Sequence, residues 1–163
     1  MVEINWPKNK KTEKNSEGDA FFIQAEPISK TRMNLLWMNP AQLAQLEKPL
    51  TQYNVVSFAL RSDSGMEEVD VTAEDYQWAK QIEKIVDLAD AAAKRKDYAK
   101  SIQYYKEALR LAPGCDLYLM SIGTSYAYLG EKDRAIQYLE RAAKISPNNS
   151  RIRENLANAK RLK

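Results

Sequence analysis

The stretch 119-LMSIGTSYAYLGEKDRAIQYLERAAKISPNN-149 decides the fold of this chain. Four of its residues recur at the spacing i, i+3, i+4 and i+7, which places them on one face of a helix: Leu119, Ile122, Gly123 and Tyr126. Gly130 is suited to ending that helix in the left-handed conformation. Pro147 cannot continue a second helix and marks its end. The stretch is therefore predicted to be a hairpin of two helices.

Small residues predict how closely the two helices approach. Gly123 in the first helix and Ala135 in the second would let the helix axes come near each other. Leu139 and Ala142 would lie on the same inward face as Ala135. A glycine in a helix interior costs about 1 kcal/mol relative to alanine, so the close contact must repay that cost.

The same pattern occurs once more, 34 residues upstream, in the stretch 85-IVDLADAAAKRKDYAKSIQYYKEALRLAPG-114. The equivalent positions hold small or apolar residues in most cases: Ile85, Leu88, Ala89, Ala92, Ser101, Tyr105 and Ala108. A period of 34 residues with this signature resembles the tetratricopeptide repeat (TPR) family. The upstream copy departs from the family at Ala92, where a larger residue is usual, so another side chain must fill that space.

The resemblance implies a mainly α fold, with αα-hairpins stacked into a superhelix. It covers residues 72–163, with repeats at 82–115 and 116–149 and a capping helix at 150–163, for which Ser150 and Glu154 form a plausible start. We expect Leu156 and Ala157 in the core of that helix. Thr72 and Asp75 have the form of a capping box, which would begin a helix longer than a repeat requires.

The N-terminal part is expected to add a small α+β extension. Residues 1–19 are polar and charged, which favours a flexible tail. Within 20–71 the apolar runs 20–25 and 33–38 are interpreted as strands, and a short helix is expected from Asn39 and Pro40 to Pro49. Residues 54–61 and 66–71 flank the turn 62-SDSG-65 and predict a β-hairpin. We expect this unit to pack on the repeats through Tyr76 and Trp78.

The resemblance also implies a binding groove on the concave face, which the first helix of each repeat lines. The groove positions by repeat number are Val86, Asp87, Asp90, Lys94, Leu117, Met120, Thr124, Tyr128, Arg151 and Asn158. Some family members hold a peptide's terminal carboxylate with lysine and asparagine, but Val86 and Asp90 stand at those positions here. A chaperone's C-terminal tail is therefore not an expected ligand. Asp87 and Asp90 flank the apolar positions, so we expect a ligand segment with two apolar anchors and a nearby lysine or arginine. Occupation of the groove by the chain's own residues 28–38 is the rival interpretation.

Composition argues against several function classes. The 163 residues include no histidine and a single cysteine, which excludes histidine-dependent nucleophiles and an internal disulfide. Cys115 is interpreted as an incidental loop residue, with a reactive thiol as the alternative. We predict no catalytic residues, no cofactor and no metal, because the acidic stretch 63–75 does not fit a calcium-binding loop.

We therefore predict a non-enzymatic adaptor, scaffold or assembly factor that binds a protein or peptide. The alternative is that the N-terminal unit carries a ligand-binding activity and the repeats support it or form a dimer, so self-association stays open. The basic end, with Arg153 and Lys160, is interpreted as a solvated capping face, so nucleic acid is not expected as a partner. No apolar run is long enough to span a membrane, and a cytoplasmic location is expected, although a trimmed signal peptide would leave the same sequence.

Overall fold

A computed structural model describes residues 13–14, 20–21, 29–38, 40–53, 55–62 and 65–163. The chain divides into two compact units, of which the first includes Ile28–Glu83 and the second includes Lys84–Lys163. Each unit has its own set of packed elements, and they are described in turn.

Three short helices open the first unit: α1 (Lys30–Trp37), α2 (Pro40–Ala44) and α3 (Glu47–Gln52). The prediction of a strand at 33–38 is therefore wrong, because this run lies in α1 except for Met38. Ser29 caps α1 by accepting a hydrogen bond from the backbone N–H of Arg32 at 3.2 Å. The cap supplies a helix start that the apolar run alone did not indicate.

The helix predicted from Pro40 to Pro49 is interrupted. It begins at Pro40 as expected, but a turn separates α2 from α3, and Pro49 lies within the first turn of α3. The first turn of a helix leaves its N–H groups without intrahelical partners, so a proline costs little there. Pro49 therefore does not end the helix. Asn39 lies outside the described residues.

The predicted β-hairpin is confirmed. Strands β3 (Val55–Ser62) and β4 (Gly65–Thr72) pair antiparallel from Val55↔Thr72 to Ser62↔Gly65. A separate ribbon joins β1 (Glu13–Lys14) to β2 (Ala20–Phe21), and these strands belong to the second unit. Part of the range predicted to be a flexible tail is thus a strand, because Glu13 pairs with Phe21. The remainder of 1–19, and residues 22–25 of the other predicted strand, lie outside the described residues.

The core of the first unit gathers apolar side chains from each of its helices and from β4. Its buried members are Leu35, Leu43, Leu46, Leu50, Val71, Tyr76 and Ala79. Trp78 packs against this cluster, as does Met38. Tyr76 and Trp78 thus pack on the N-terminal elements of their own unit, and their packing on the repeats stays a prediction.

Helix α4 (Ala73–Lys94) follows β4 directly and carries the chain from the first unit into the second. The predicted capping box is confirmed at its start. The backbone N–H of Asp75 donates to the Thr72 hydroxyl at 3.1 Å, and the backbone N–H of Thr72 donates to the Asp75 carboxylate at 3.4 Å. This reciprocal pair satisfies two backbone donors and sets the first turn of the helix.

Helix α4 is followed by α5 (Tyr98–Leu111), α6 (Asp116–Tyr128), α7 (Lys132–Ile145) and α8 (Ser150–Lys160). Five helices of 11 to 22 residues between 73 and 163 confirm the all-helical repeat architecture. Helix α6 packs against α5, α7 and α8. Gly123 confirms the predicted close approach, since a Cβ atom there would lie 2.7 Å from Cγ of Leu139 and 3.1 Å from the carbonyl oxygen of Ala135.

Equivalent turns join the helices of each hairpin, with different residues at the position that needs positive φ. Gly130 has φ +76° after α6, and its N–H donates to the carbonyl of Ala127 at 3.1 Å. Lys96 takes the same place after α4 with φ 62°, and its N–H donates to the carbonyl of Ala93 at 2.9 Å. Lysine is an uncommon choice there, because a Cβ atom makes this conformation unfavourable.

The two ends of the repeat region correct the sequence interpretation. Leu88 is 49% exposed although it aligns with the fully buried Ile122. Ile122 belongs to α6, which packs against α5 of the preceding repeat, whereas the described residues before the repeat of Leu88 include no equivalent of α5.

At the other end Asn149, not Ser150, caps α8 by accepting from the N–H groups of Arg151 and Ile152. Ile152 and Ala159 are buried, while Leu156 is only half-buried and Ala157 is exposed. No second helix follows α8 within 65–163 to cover the face that carries Ala157, so the predicted core of the capping helix is wrong.

Candidate functional site

Helix α4 presents a pair of acidic side chains at the predicted groove positions. Asp87 and Asp90 lie one turn apart, and both are exposed. The Asp90 carboxylate accepts a hydrogen bond from the Tyr105 hydroxyl of α5. Val86 is half-buried beside them, and Lys94 is exposed at the end of the helix. These predicted groove positions on α4 therefore combine negative charge with one apolar side chain.

The buried Tyr105 side chain of α5 holds the Asp90 carboxylate in place through a hydrogen bond. Its ring is buried, with its centroid 6.0 Å from that of Tyr118. Burial raises the pKa of Tyr105 well above its usual range, and the hydrogen bond to Asp90 raises it further, while a hydrogen bond with Ser121 opposes the shift. Tyr105 thus remains a neutral donor, which orients the Asp90 carboxylate without removing its negative charge.

A second polar contact joins α6 to α8. The Thr124 hydroxyl donates to the backbone carbonyl of Met120 at 2.8 Å and accepts from the side-chain amide of Asn155 at 3.2 Å. Met120 itself is only 8% exposed. The sequence interpretation placed its thioether in contact with a ligand, and burial corrects this, because Met120 belongs to the packed layer beneath the groove.

The other predicted groove residues remain accessible to different degrees. Leu117 is half-buried, whereas Arg151 and Asn158 of α8 are exposed. Tyr128 is 67% exposed and lies at the last residue of α6. Its ring stacks on Tyr98, the first residue of α5, with centroids 4.7 Å apart and planes 11° from parallel. Tyr128 therefore lies at the end of α6, beside the start of α5, and its place in a groove stays a prediction.

Cys115 does not support the alternative of a reactive thiol. It directly precedes α6 and is buried. Burial raises the pKa of Cys115 to about 12, and the nearby Asp116 carboxylate also raises it. The thiolate is the nucleophilic form, so this thiol is expected to be inert near neutral pH.

The described residues add two observations about other sites. Within them, no group of three carboxylate or cysteine side chains is arranged to hold a metal ion. No helix among the same residues is long and apolar enough to cross a membrane.

Sequence reasoning did not identify Tyr98, Tyr105 or Asn155 as parts of this surface. Tyr105 stands where the second repeat has Leu139. A hydroxyl at a position that is otherwise apolar was the one signal in the sequence that Tyr105 has a polar partner. Tyr98 aligns with Lys132, and Asn155 aligns with Ser121. Neither difference pointed to the surface, because the partners of Tyr98 and Asn155 come from other helices and are visible only in the packed structure.

Comparison with known proteins identifies the repeat region. Residues 86–150 match the model of the tetratricopeptide repeat family. The repeat region is a tetratricopeptide repeat domain. Domains of this family bind other proteins, so the match indicates a protein-interaction function for this part of the chain. The family expectation drawn from the 34-residue period is thereby confirmed.

One relative is a heat-shock protein cognate co-chaperone, sgt12, from Aspergillus fumigatus. It is 31% identical over 78 residues, which cover 48% of this chain but only 23% of the co-chaperone. The solved Sgt2 TPR domain from Aspergillus fumigatus is 30% identical with a TM-score of 0.48, covering 49% of this chain and 53% of that one. A TPR-containing domain from Plasmodium falciparum is 28% identical with a TM-score of 0.49, covering 53% of this chain and 57% of that one. The chain thus spans about a quarter of the co-chaperone's length and little more than half of each solved domain.

Proposed function

We propose that this chain is a non-enzymatic adaptor whose repeat groove binds an extended internal segment of a partner protein. The observation that supports this proposal most is that the polar side chains at and beneath the predicted groove positions are hydrogen-bonded, while charged side chains there stay exposed. The polar contacts of Asp90 with Tyr105 and of Thr124 with Asn155 are satisfied within the domain, while Asp87 and Arg151 stay exposed. A surface whose inner polar groups are already hydrogen-bonded can accept a ligand without large desolvation costs.

The charge of α4 suggests what the segment carries. A lysine or arginine could pair with Asp87 and Asp90, and apolar side chains could contact Val86 and Leu117. A terminal carboxylate fits poorly, because like charges placed close together repel. The proposed partner therefore differs from a peptide that enters a groove by its carboxyl terminus. A cytoplasmic location stays a prediction.

Selection from a random peptide library on the full chain tests the proposal. We expect the selected peptides to combine lysine or arginine with apolar residues, and the double substitution Asp87→Lys with Asp90→Lys to weaken their binding at least tenfold, about 1.4 kcal/mol. The matched control reverses two exposed acidic residues on the second helices of the repeats, Glu107→Lys with Asp133→Lys, and should leave binding unchanged. Equal affinity of both double variants would show that the ligand does not bind this groove.

A second candidate function has one observation in its favour. The first unit buries two polar atoms without a hydrogen-bond partner, the side-chain amide nitrogen of Asn34 and the hydroxyl of Tyr76. Unsatisfied buried groups are uncommon in proteins, and a bound small molecule would be one way to satisfy them. Binding that survives charge reversal in the groove but is lost on Tyr76→Phe would favour this candidate.

A further inference from the structure

A second surface lies where α4 turns into α5 and α6 ends. It consists of three consecutive cationic residues, a stacked pair of tyrosines and a leucine, and we name it the turn-edge patch: Lys94, Arg95, Lys96, Tyr98, Tyr128 and Leu129. Tyr98 is two residues from Lys96, and its ring is 4.7 Å from that of Tyr128. The cations and the rings are therefore neighbours, although they belong to two repeats.

The cations of this patch differ from other cations of the repeat unit. Lys132 donates to the carbonyl of Leu162 at 2.5 Å, and Lys160 pairs with Glu140 at 3.2 Å. Lys94, Arg95 and Lys96, by contrast, have no ion pair or side-chain hydrogen bond with any residue that the structure describes.

The acidic residues that follow the two parts of the patch along the chain, Asp97 and Glu131, are already engaged. Asp97 accepts from the backbone N–H of Lys100 at 3.2 Å and caps α5. Glu131 pairs with Arg134. Three adjacent exposed cations are thus left to attract an anionic group from another molecule.

The rings add an accessible aromatic face. One face of Tyr128 is covered by Tyr98, yet the residue is still 67% exposed, so its other face is open to solvent. Leu129 beside it is 43% exposed. Aromatic pairs gain from offset stacking beyond the area that they bury, so an incoming aromatic side chain could extend the existing stack.

The backbone of Lys96 is the most specific observation. Its φ of 62° is the conformation that Gly130 adopts in the second repeat. Glycine would be the more stable choice here, and backbone strain of this kind is found preferentially at functional sites. Lys96 thus adopts a conformation that glycine would adopt without strain, and its exposed cationic side chain is the feature that glycine could not supply.

We propose that the turn-edge patch binds an acidic segment of a partner protein that carries an aromatic residue between carboxylates. The aromatic residue stacks on the open face of Tyr128, and the carboxylates pair with Lys94, Arg95 and Lys96. A polypeptide fits better than a nucleic acid because Leu129 offers an aliphatic contact, and Asp97 and Glu131 interrupt the positive charge that a phosphate backbone would follow. The turn-edge patch shares Lys94 and Tyr128 with the predicted groove positions, but it attracts the opposite charge from the one that Asp87 and Asp90 attract.

Fluorescence anisotropy on the full chain tests the proposal. The probe is a labelled peptide of about ten residues, which spans about 33 Å when extended, with one tryptophan flanked on each side by two aspartates among glycine and serine. We expect saturable binding that weakens as salt is raised. Tyr128→Ala should weaken it about tenfold. Tyr53→Ala removes a tyrosine that is 57% exposed elsewhere and should have no effect.

Lys96→Gly gives the sharpest result because it should raise the stability of the chain and lower its affinity for the probe. The thermal midpoint should rise by about 2–4 °C once the backbone strain is relieved, while affinity for the probe should fall about two- to fivefold. A merely structural lysine would not change affinity, and that outcome overturns the proposal. Absence of saturation at about 1 mM probe also overturns it, as does tighter binding of a thymidine oligonucleotide of equal length.

Discussion

Replacing Gly123 by leucine tests the repeat packing most directly. Gly123 lies inside α6, where helix propensity alone favours leucine by about 0.8 kcal/mol. The structure predicts the opposite sign. A Cβ atom at this position would lie 2.7 Å from Cγ of Leu139, 3.1 Å from the carbonyl oxygen of Ala135 and 3.2 Å from the backbone nitrogen of Leu139. Two of these atoms belong to the backbone and the third is a branch carbon, so none can move cheaply.

The magnitude follows from these contacts. Overpacking a close-packed core costs about 1–3 kcal/mol, and a leucine adds three carbon atoms beyond the Cβ that already clashes, so the upper end applies. Subtracting the propensity gain leaves a net destabilisation of about 2 kcal/mol. The thermal midpoint should then fall by about 4–8 °C for a chain of this length.

Circular dichroism melts and urea titrations of the full chain measure both quantities. Ala89 is the matched control, since it holds the equivalent place in the first repeat and is fully buried. Ala89→Gly removes a methyl group that this repeat accommodates and should destabilise by about 1 kcal/mol. A midpoint for Gly123→Leu equal to or above that of the unmodified chain would refute the assigned contact between α6 and α7.

Three other changes have defined outcomes. Ser101→Ala should raise the free energy of unfolding by about 1 kcal/mol in urea titrations, because the Ser101 hydroxyl is fully buried without a hydrogen-bond partner; an unchanged value would mean that the hydroxyl is satisfied in solution. Burial raises the pKa of Asp75, but hydrogen bonds from Arg32 and Thr72 outweigh it and hold that pKa below its usual value of 3.8. Its contribution to stability is therefore complete above that value and lost as pH falls through the lowered pKa, so Asp75→Asn should flatten the acid limb of a stability–pH curve. Cys115 should resist a thiol reagent at mildly alkaline pH in the folded chain and react promptly in urea, because its pKa is about 12.

The sequence was sufficient for the repeat architecture because periodicity encodes it directly. The 34-residue shift located the helices from α4 to α8, and Gly130 and Thr72 marked helix ends through backbone chemistry that one residue determines. The N-terminal unit was only partly predictable. Its hairpin has a turn signature between two apolar runs, but α1 has an apolar run and no periodicity that separates helix from strand. Ser29 decided the outcome by capping the helix.

The candidate site was less predictable than the fold. The position of a residue within the repeat predicts the helix face on which it lies, but not which neighbouring helix buries it. Leu88 and Ile122 occupy one repeat position and differ in exposure from 49% to 0%. Met120 was expected at the surface and is buried, since α6 packs against α5, α7 and α8. Burial depends on the helices that pack on each side of a position, and the repeat position alone does not specify them.

Departures from the repeat carry the information that periodicity cannot. Positions that follow the pattern describe packing common to the whole family and say little about what this chain binds. Where the two copies differ without a packing reason, the difference reflects another constraint. Lys96 opposite Gly130 is such a pair, because both adopt the same backbone conformation and only glycine adopts it without strain. Tyr105 opposite Leu139 is another, because the added hydroxyl orients Asp90 at the surface. Both departures lie in the first repeat, which is therefore the better place to search for the contacts that distinguish this chain from other tetratricopeptide repeat domains.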